Sequence, residues 1–98
     1  MCFNLQHFKD RRAQLRRIKK YEALMDEAQA RVNAGQYDRA LPQMISQLEA
    51  YYASESWKQD YADDDAGKLP KRLKRGVLSQ DGIYDLLERF GELHDENG

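Results

Sequence analysis

Cysteine, proline and long apolar runs are scarce in this chain, and each shortage excludes something. Cys2 is the single cysteine, so neither a disulfide framework nor a cysteine-rich metal centre is available. Two prolines and six glycines in 98 residues leave long stretches without a helix breaker. No apolar run approaches the roughly 18 residues that a membrane span needs. Residues 1–8 lack the charged start and apolar stretch of a secretory signal, and Cys2 lacks the upstream apolar segment of a lipoprotein signal. The expectation is a reduced thiol in a cytoplasmic protein that does not enter the membrane.

What is present suits a helical domain with a heavily solvated surface: 41% of residues are hydrophobic and 34% charged. Residues 1–98 are read as one domain, whose small core leaves about 35–40% of the unfolded surface exposed. The net charge is −1, yet the charges are sorted into blocks. Residues 1–20 hold seven Lys or Arg against Asp10 alone, and residues 21–66 hold three basic against ten acidic residues. Residues 67–75 hold five basic residues and no acid, and residues 76–98 hold Arg89 against six acids. Such blocks either neutralise one another in the fold or present patches to partners.

From about residue 5 to residue 33 there is no Pro or Gly, and Ile18, Tyr21, Met25, Ala28 and Val32 recur at steps of three and four. That spacing puts them on one face of a helix, widened by Leu15 and Leu24. Asn33-Ala34-Gly35 is a stop signal. Tyr37, Leu41, Met44, Leu48 and Tyr51 repeat the pattern over about 37–53, so the two stripes form an antiparallel helical hairpin. Pro42 is tolerable if Asp38 caps this helix and otherwise marks a kink. A short helix is expected over about 55–64, capped by Ser54 or Ser56. Gly67-Lys68-Leu69-Pro70 is a break, and residues 71–75 read as one basic turn ended by Gly76. Ser79 looks like the N-cap of a last helix over about 80–94, with Asp81 in its first turn and Ile83, Leu86, Leu87, Phe90 and Leu93 on its apolar face. Residues 95–98 are expected to fray. No internal repeat or strand-type alternation occurs, so the fold is all-α, with the short and C-terminal helices packed across the hairpin.

The stretch from 51 to 87 carries the densest motif: Tyr51-Tyr52-Ala53-Ser54, Trp57, Asp60, Asp64, Gly67-Lys68-Leu69-Pro70, Leu73-Lys74-Arg75-Gly76-Val77-Leu78-Ser79, Asp81-Gly82-Ile83-Tyr84 and Leu86-Leu87. It resembles a family of small bacterial proteins described only as a domain of unknown function. The resemblance covers about 40 residues, with Gln80 where the family pattern has Glu, while the N-terminal half matches in helical character alone. It implies a bacterial, helical protein and supplies no activity, cofactor or catalytic residue.

Trp57, Asp60, Lys74, Arg75, Gly76, Ser79, Asp81 and Tyr84 are the candidate binding residues, because aromatic, charged and turn residues crowd together there. One reading is architectural: Trp57, Tyr61, Leu69, Leu73, Val77 and Leu78 close the open end of the hairpin, and Asp60, Asp63 and Asp64 meet Lys68, Lys71 and Lys74. The other is an anion or peptide site at Lys74, Arg75, the Gly76 turn and the start of the last helix, where free amides and the helix dipole favour negative charge. The acids at 60–65 fail as a calcium loop: counting Asp63 first puts Lys68 at position six and Arg75 at twelve. Lys9, Arg12, Arg16 and Lys19 form a basic face suited to phosphates, without a recognised reading motif beside it. Tyr21, Tyr37, Tyr51, Tyr52 and Tyr84 read as boundary residues with buried rings and wet hydroxyls. His7 and His94 have no nucleophile near them in sequence, so neither a catalytic constellation nor a metal site or cofactor is expected.

The reading is therefore a non-catalytic interaction module binding a protein partner, with a second copy of the chain among the candidates because a long hairpin can leave apolar stripe uncovered. A nucleic-acid-associated protein using the basic N-terminal helix is the alternative. An enzyme is third, requiring His7 or His94 beside Asp or Ser in a cleft.

Overall fold

The computed structural model describes residues 5–97, with side chains over 11–95. Helix α1 (Leu5–Asn33) is followed by α2 (Ala40–Tyr52), α3 (Glu55–Asp65), a 3₁₀ turn at Gly76–Leu78 and α4 (Gln80–Asn97). Four α-helices and no strand occur among the described residues. Cys2 lies outside them, as do the side chains of His7 and Lys9.

Local chemistry sets each boundary. At the end of α1, Gly35 has φ +67°, its amide bonds to Val32 O, and the Gln36 amide bonds to Arg31 O. This paired closure needs a left-handed residue, which glycine supplies at least cost. Gly67 closes α3 the same way, with φ +73° and Lys68 N donating to Asp63 O. Helix α2 starts later than the expected 37, because Asp38 Oδ1 accepts from the Ala40 and Leu41 amides, both at 3.1 Å. Asp38 thus satisfies two of the free amides that open α2, and Pro42, the third residue of the helix, falls in the first turn, where an N–H would have no helical acceptor. Ser54 caps α3, its Oγ accepting from Trp57 N at 3.1 Å. Ser79 Oγ accepts from Gly82 N at 3.2 Å at the start of α4.

The basic turn expected at 71–75 is present as a single turn, with Leu73 N donating to Pro70 O, between a proline and the Gly76 turn. One boundary is corrected. Helix α4 does not stop at 94 and runs to Asn97.

Side-chain contacts give the directions. Tyr21 stacks on Tyr51 with centroids 4.1 Å apart, so α2 folds back along α1. Asp60 meets Arg17, and Asp63 meets Gln14, so α3 continues towards the start of α1. The chain then returns, and Val77 reaches Glu22. Tyr84, early in α4, faces Tyr52, whereas Phe90 and His94 face Tyr37, so α4 runs antiparallel to α2 and parallel to α1. The body measures 59 × 21 × 21 Å, with a radius of gyration of 15.5 Å against the ~13 Å of a compact chain of this length.

The core runs the length of the bundle. Ile18, Met25 and Ala28 of α1, Leu41, Ile45 and Leu48 of α2, and Ile83 and Leu86 of α4 are at most 3% exposed. Each such aliphatic residue larger than alanine contributes about 1.5–3 kcal/mol by leaving water. The apolar stripes of the hairpin are thereby covered by α4 and by Leu69, Leu73, Val77 and Leu78 of the returning segment. The large hydrophobics exposed among the described residues are Tyr61 and Tyr84, so an uncovered hairpin stripe is no longer a reason for self-association.

Candidate functional site

Asp60 sits at the centre of the motif region and is fully buried. Oδ1 accepts from Gln14 Nε2 at 3.0 Å and Arg17 Nη2 at 2.5 Å. Oδ2 accepts from Arg17 Nε at 3.0 Å and the Tyr51 hydroxyl at 2.5 Å. Four donors saturate the four lone-pair positions of a carboxylate, so Asp60 has nothing left for a ligand. The hydrogen bond to Asp60 raises the Arg17 guanidinium above its ordinary value. Burial, reinforced by that same carboxylate, raises the Tyr51 phenol.

Asp63 accepts from Gln14 at 2.9 Å and Gln59 at 2.9 Å, with Arg11 at 3.6 Å and Lys68 at 4.0 Å. Its carboxyl lies below the usual range, chiefly through the Gln14 hydrogen bond and against the opposing effect of burial. Around this network Arg11, Ala13, Gln14, Arg17, Gln59, Asp63 and Lys68 line an open cleft of about 420 Å³. The expected partners Lys68, Lys71 and Lys74 are thus largely replaced by α1. Only Lys68 approaches one of the three acids, while Lys74 turns to Asp26 at 3.9 Å and Asp64 pairs with Arg75 at 2.7 Å.

Trp57 ties the returning segment down. Its Nε1–H donates to Val77 O at 3.0 Å, and Val77 N donates to the buried Glu22 carboxylate at 2.8 Å. Gly76 fits because a Cβ there would stand 3.1 Å from Glu22 Oε2. Arg75 spends its fork inside the loop, donating to Asp64, to Pro70 O at 2.9 Å and to Lys71 O at 3.3 Å. With Ser79 occupied as a cap, this segment holds its own backbone together. Among the described residues no buried polar side-chain atom lacks a hydrogen-bond partner, and no group of three or more His, Cys, Asp or Glu has metal-binding geometry.

Residues 4–97 match the family described as Domain of unknown function (DUF4298). The chain belongs to that family. No curated protein and no solved structure matches it. The DUF4298 match takes in all of α1 as well as the 51–87 motif. In the structure Asp60 and Asp63 of that region take donors from Gln14 and Arg17 of α1.

Three surfaces of this DUF4298 domain remain open. The first is a row of four rings: Tyr61 stacks on Trp57 at 5.1 Å, Trp57 meets Tyr52 edge-on at 4.8 Å, and Tyr52 meets Tyr84 edge-on at 5.7 Å. Trp57 is buried, whereas the end rings Tyr61 and Tyr84 are 42% and 60% exposed. Hydrogen bonding with Tyr84 pushes the Tyr52 phenol up to about 12. The second is the basic side of α1, where Arg12, Arg16 and Lys19 are exposed. Lys19, Glu22, Ala23 and Asp26 line a 310 Å³ groove with Arg72, Leu73 and Lys74 of the returning segment, so the two basic blocks of the sequence adjoin. The third is the acidic side of α4, which includes Asp81.

Of the sequence candidates, Trp57 and Asp60 are buried, Arg75 and Ser79 serve the fold, and Tyr84 stands open. His94 Nδ1 lies 2.7 Å from the Tyr37 hydroxyl, flanked by the Phe90 ring. Sequence reasoning missed Gln14, Arg17 and Glu22. Their signal was polar residues interrupting the Ile18–Met25 side of an otherwise apolar stripe. Tyr61 was assigned to the cap over the hairpin, and only the folded surface shows its ring in water.

Proposed function

We propose that the chain is a non-catalytic protein-interaction module whose contact surface is the ring row Tyr61, Trp57, Tyr52 and Tyr84. The observation that carries this reading is the pairing of two exposed terminal rings with a buried, hydrogen-bonded tryptophan between them. Tyrosine and tryptophan dominate binding energy at protein interfaces because they offer large rigid contact area and few rotamers to freeze. Here the rings are already fixed against one another, so little order is lost on docking. The non-catalytic reading is supported by the saturation of Asp60 and the internal use of Arg75. A lone cysteine and the absence of apolar spans among the described residues suit a reducing cytoplasm and a partner met in water.

The test is a tagged pull-down from bacterial lysate after nuclease treatment, with the wild-type chain and a Tyr61→Ala/Tyr84→Ala variant. The expected result is a protein partner that survives nuclease and whose recovery falls at least about tenfold in the variant, the equivalent of ~1.4 kcal/mol. Equal recovery by a variant with an intact helical circular-dichroism signal would remove the ring row as the contact surface. Recovery that disappears with nuclease would favour the nucleic-acid alternative.

A further inference from the structure

The Asp60–Asp63 network uses Arg11 and Arg17, Arg75 is spent within the returning loop, and Lys68 and Lys74 have carboxylates within 4.0 Å. That leaves Arg12, Arg16 and Lys19, exposed at steps of four and three along α1. No ion pair forms at these three among the described residues. Arg72 adjoins Lys19 across the groove. On α4, Asp81, Asp85, Glu88, Glu92 and Asp95 recur at steps of four, three, four and three, and all five are exposed. That spacing holds each set on one side of its helix, and the acids cover ~21 Å at 1.5 Å per residue. Within that set the ion pair is Asp85 with Arg89 of the same helix, at 3.4 Å.

The two stripes do not meet within one chain. Gly82, at the start of α4, lies against Met25, beyond Lys19 on α1, and α4 then runs on towards Tyr37. A 59 Å body therefore carries a positive stripe towards one end and a negative stripe towards the other.

We propose that the stripes meet between copies: two chains lie side by side about a two-fold axis, the α1 cations of each against the α4 acids of the other. Two-fold symmetry makes one kind of contact occur twice and closes the pair as a dimer. Charge complementarity selects the second copy over a phosphate backbone, because a phosphate backbone leaves the α4 stripe without a partner while a second copy uses both. Exposed ion pairs are individually weak and screened over ~10 Å at 0.1 M salt and ~3 Å at 1 M. The dimer is therefore reversible and dissolves as salt rises. The acidic stripe adjoins the ring row at Tyr84, which lies three residues from Asp81 and four from Glu88; the dimer is read by mass against salt and the ring row by partner capture, so either assignment can fail alone.

Sedimentation equilibrium across a salt series tests it on the wild-type chain. The expected mass at low salt is twice the 11.5 kDa of the chain, returning to the single mass at high salt. Two variants sharpen the test: Arg12→Glu/Arg16→Glu/Lys19→Glu makes both stripes acidic, and Glu88→Lys/Glu92→Lys/Asp95→Lys makes α4 basic. Each alone is expected to be monomeric with an unchanged helical signal, and an equimolar mixture to recover the doubled mass, since both contacts are again opposite in sign. The proposal is overturned by a wild-type chain that is monomeric at low salt, by a doubled mass that persists at high salt, or by a mixture that stays monomeric. A wild-type monomer that binds a single-stranded oligonucleotide at low salt would assign the α1 stripe to phosphates instead.

Discussion

Replacing Asp60 by alanine removes the acceptor for four hydrogen bonds at once. Tyr51 and Gln14 are 3% and 5% exposed, so their orphaned donors have little water to turn to. Arg17 keeps 30% of its side chain exposed, so part of its charge is re-solvated. Removing one partner of a buried ion pair costs about 3–5 kcal/mol, and the exposure of Arg17 places Asp60→Ala near the lower end, at ~3 kcal/mol. A domain of this size has only about 5–15 kcal/mol to lose, and ~3 kcal/mol corresponds to a fall in Tm of roughly 12–24 °C. Urea and thermal unfolding followed by circular dichroism read this directly, with the single tryptophan, Trp57, as a fluorescence probe of the motif region. A cycle with Arg17→Ala then isolates the pair: the double variant should lose less than the two single losses together, by about 1–3 kcal/mol. A cost below about 1 kcal/mol for Asp60→Ala, at an unchanged denaturant slope, would refute the claim that this carboxylate pins α3 to α1.

Two further perturbations probe other parts of the fold. Gly76→Ala places a methyl group 3.1 Å from Glu22 Oε2 and loosens the Glu22 bond to Val77 N; a loss of about 1 kcal/mol is expected in urea titrations, and equal or greater stability would contradict the close approach. The fold favours the neutral phenols of Tyr51 and Tyr52, so their contribution is complete below the unfolded value near 10 and is lost as pH rises through the folded values, about 12 for Tyr52. Tyrosinate absorbance and helical signal should consequently change together in strong alkali; with six tyrosines in the chain, Tyr51→Phe and Tyr52→Phe variants assign the signal, and either substitution removing an ionisation near 10 from an intact fold would speak against these contacts.

Periodicity alone determined the helices, because a solvated helix must show its buried side every three or four residues. Ile18, Met25, Leu41, Leu48, Ile83 and Leu86 were all legible as core, and all are buried. Caps and stops were legible for the same local reason: Asp38, Ser54, Ser79 and Gly35 act within three or four residues of themselves. The bonds from the 51–87 motif to α1 were not legible, since they join residues 43 to 55 positions apart: Arg17 with Asp60, Gln14 with Asp63, Glu22 with Val77. One sequence records that Asp60 is acidic and Trp57 aromatic, and these types serve a binding site as well as a buried network. Tertiary packing decided between them by supplying four donors to Asp60 and a backbone acceptor to Trp57, because a buried charge or N–H is tolerated only when paired. It also decided which rings stay in water, leaving Tyr61 and Tyr84 on the surface while Trp57 closed over the returning segment.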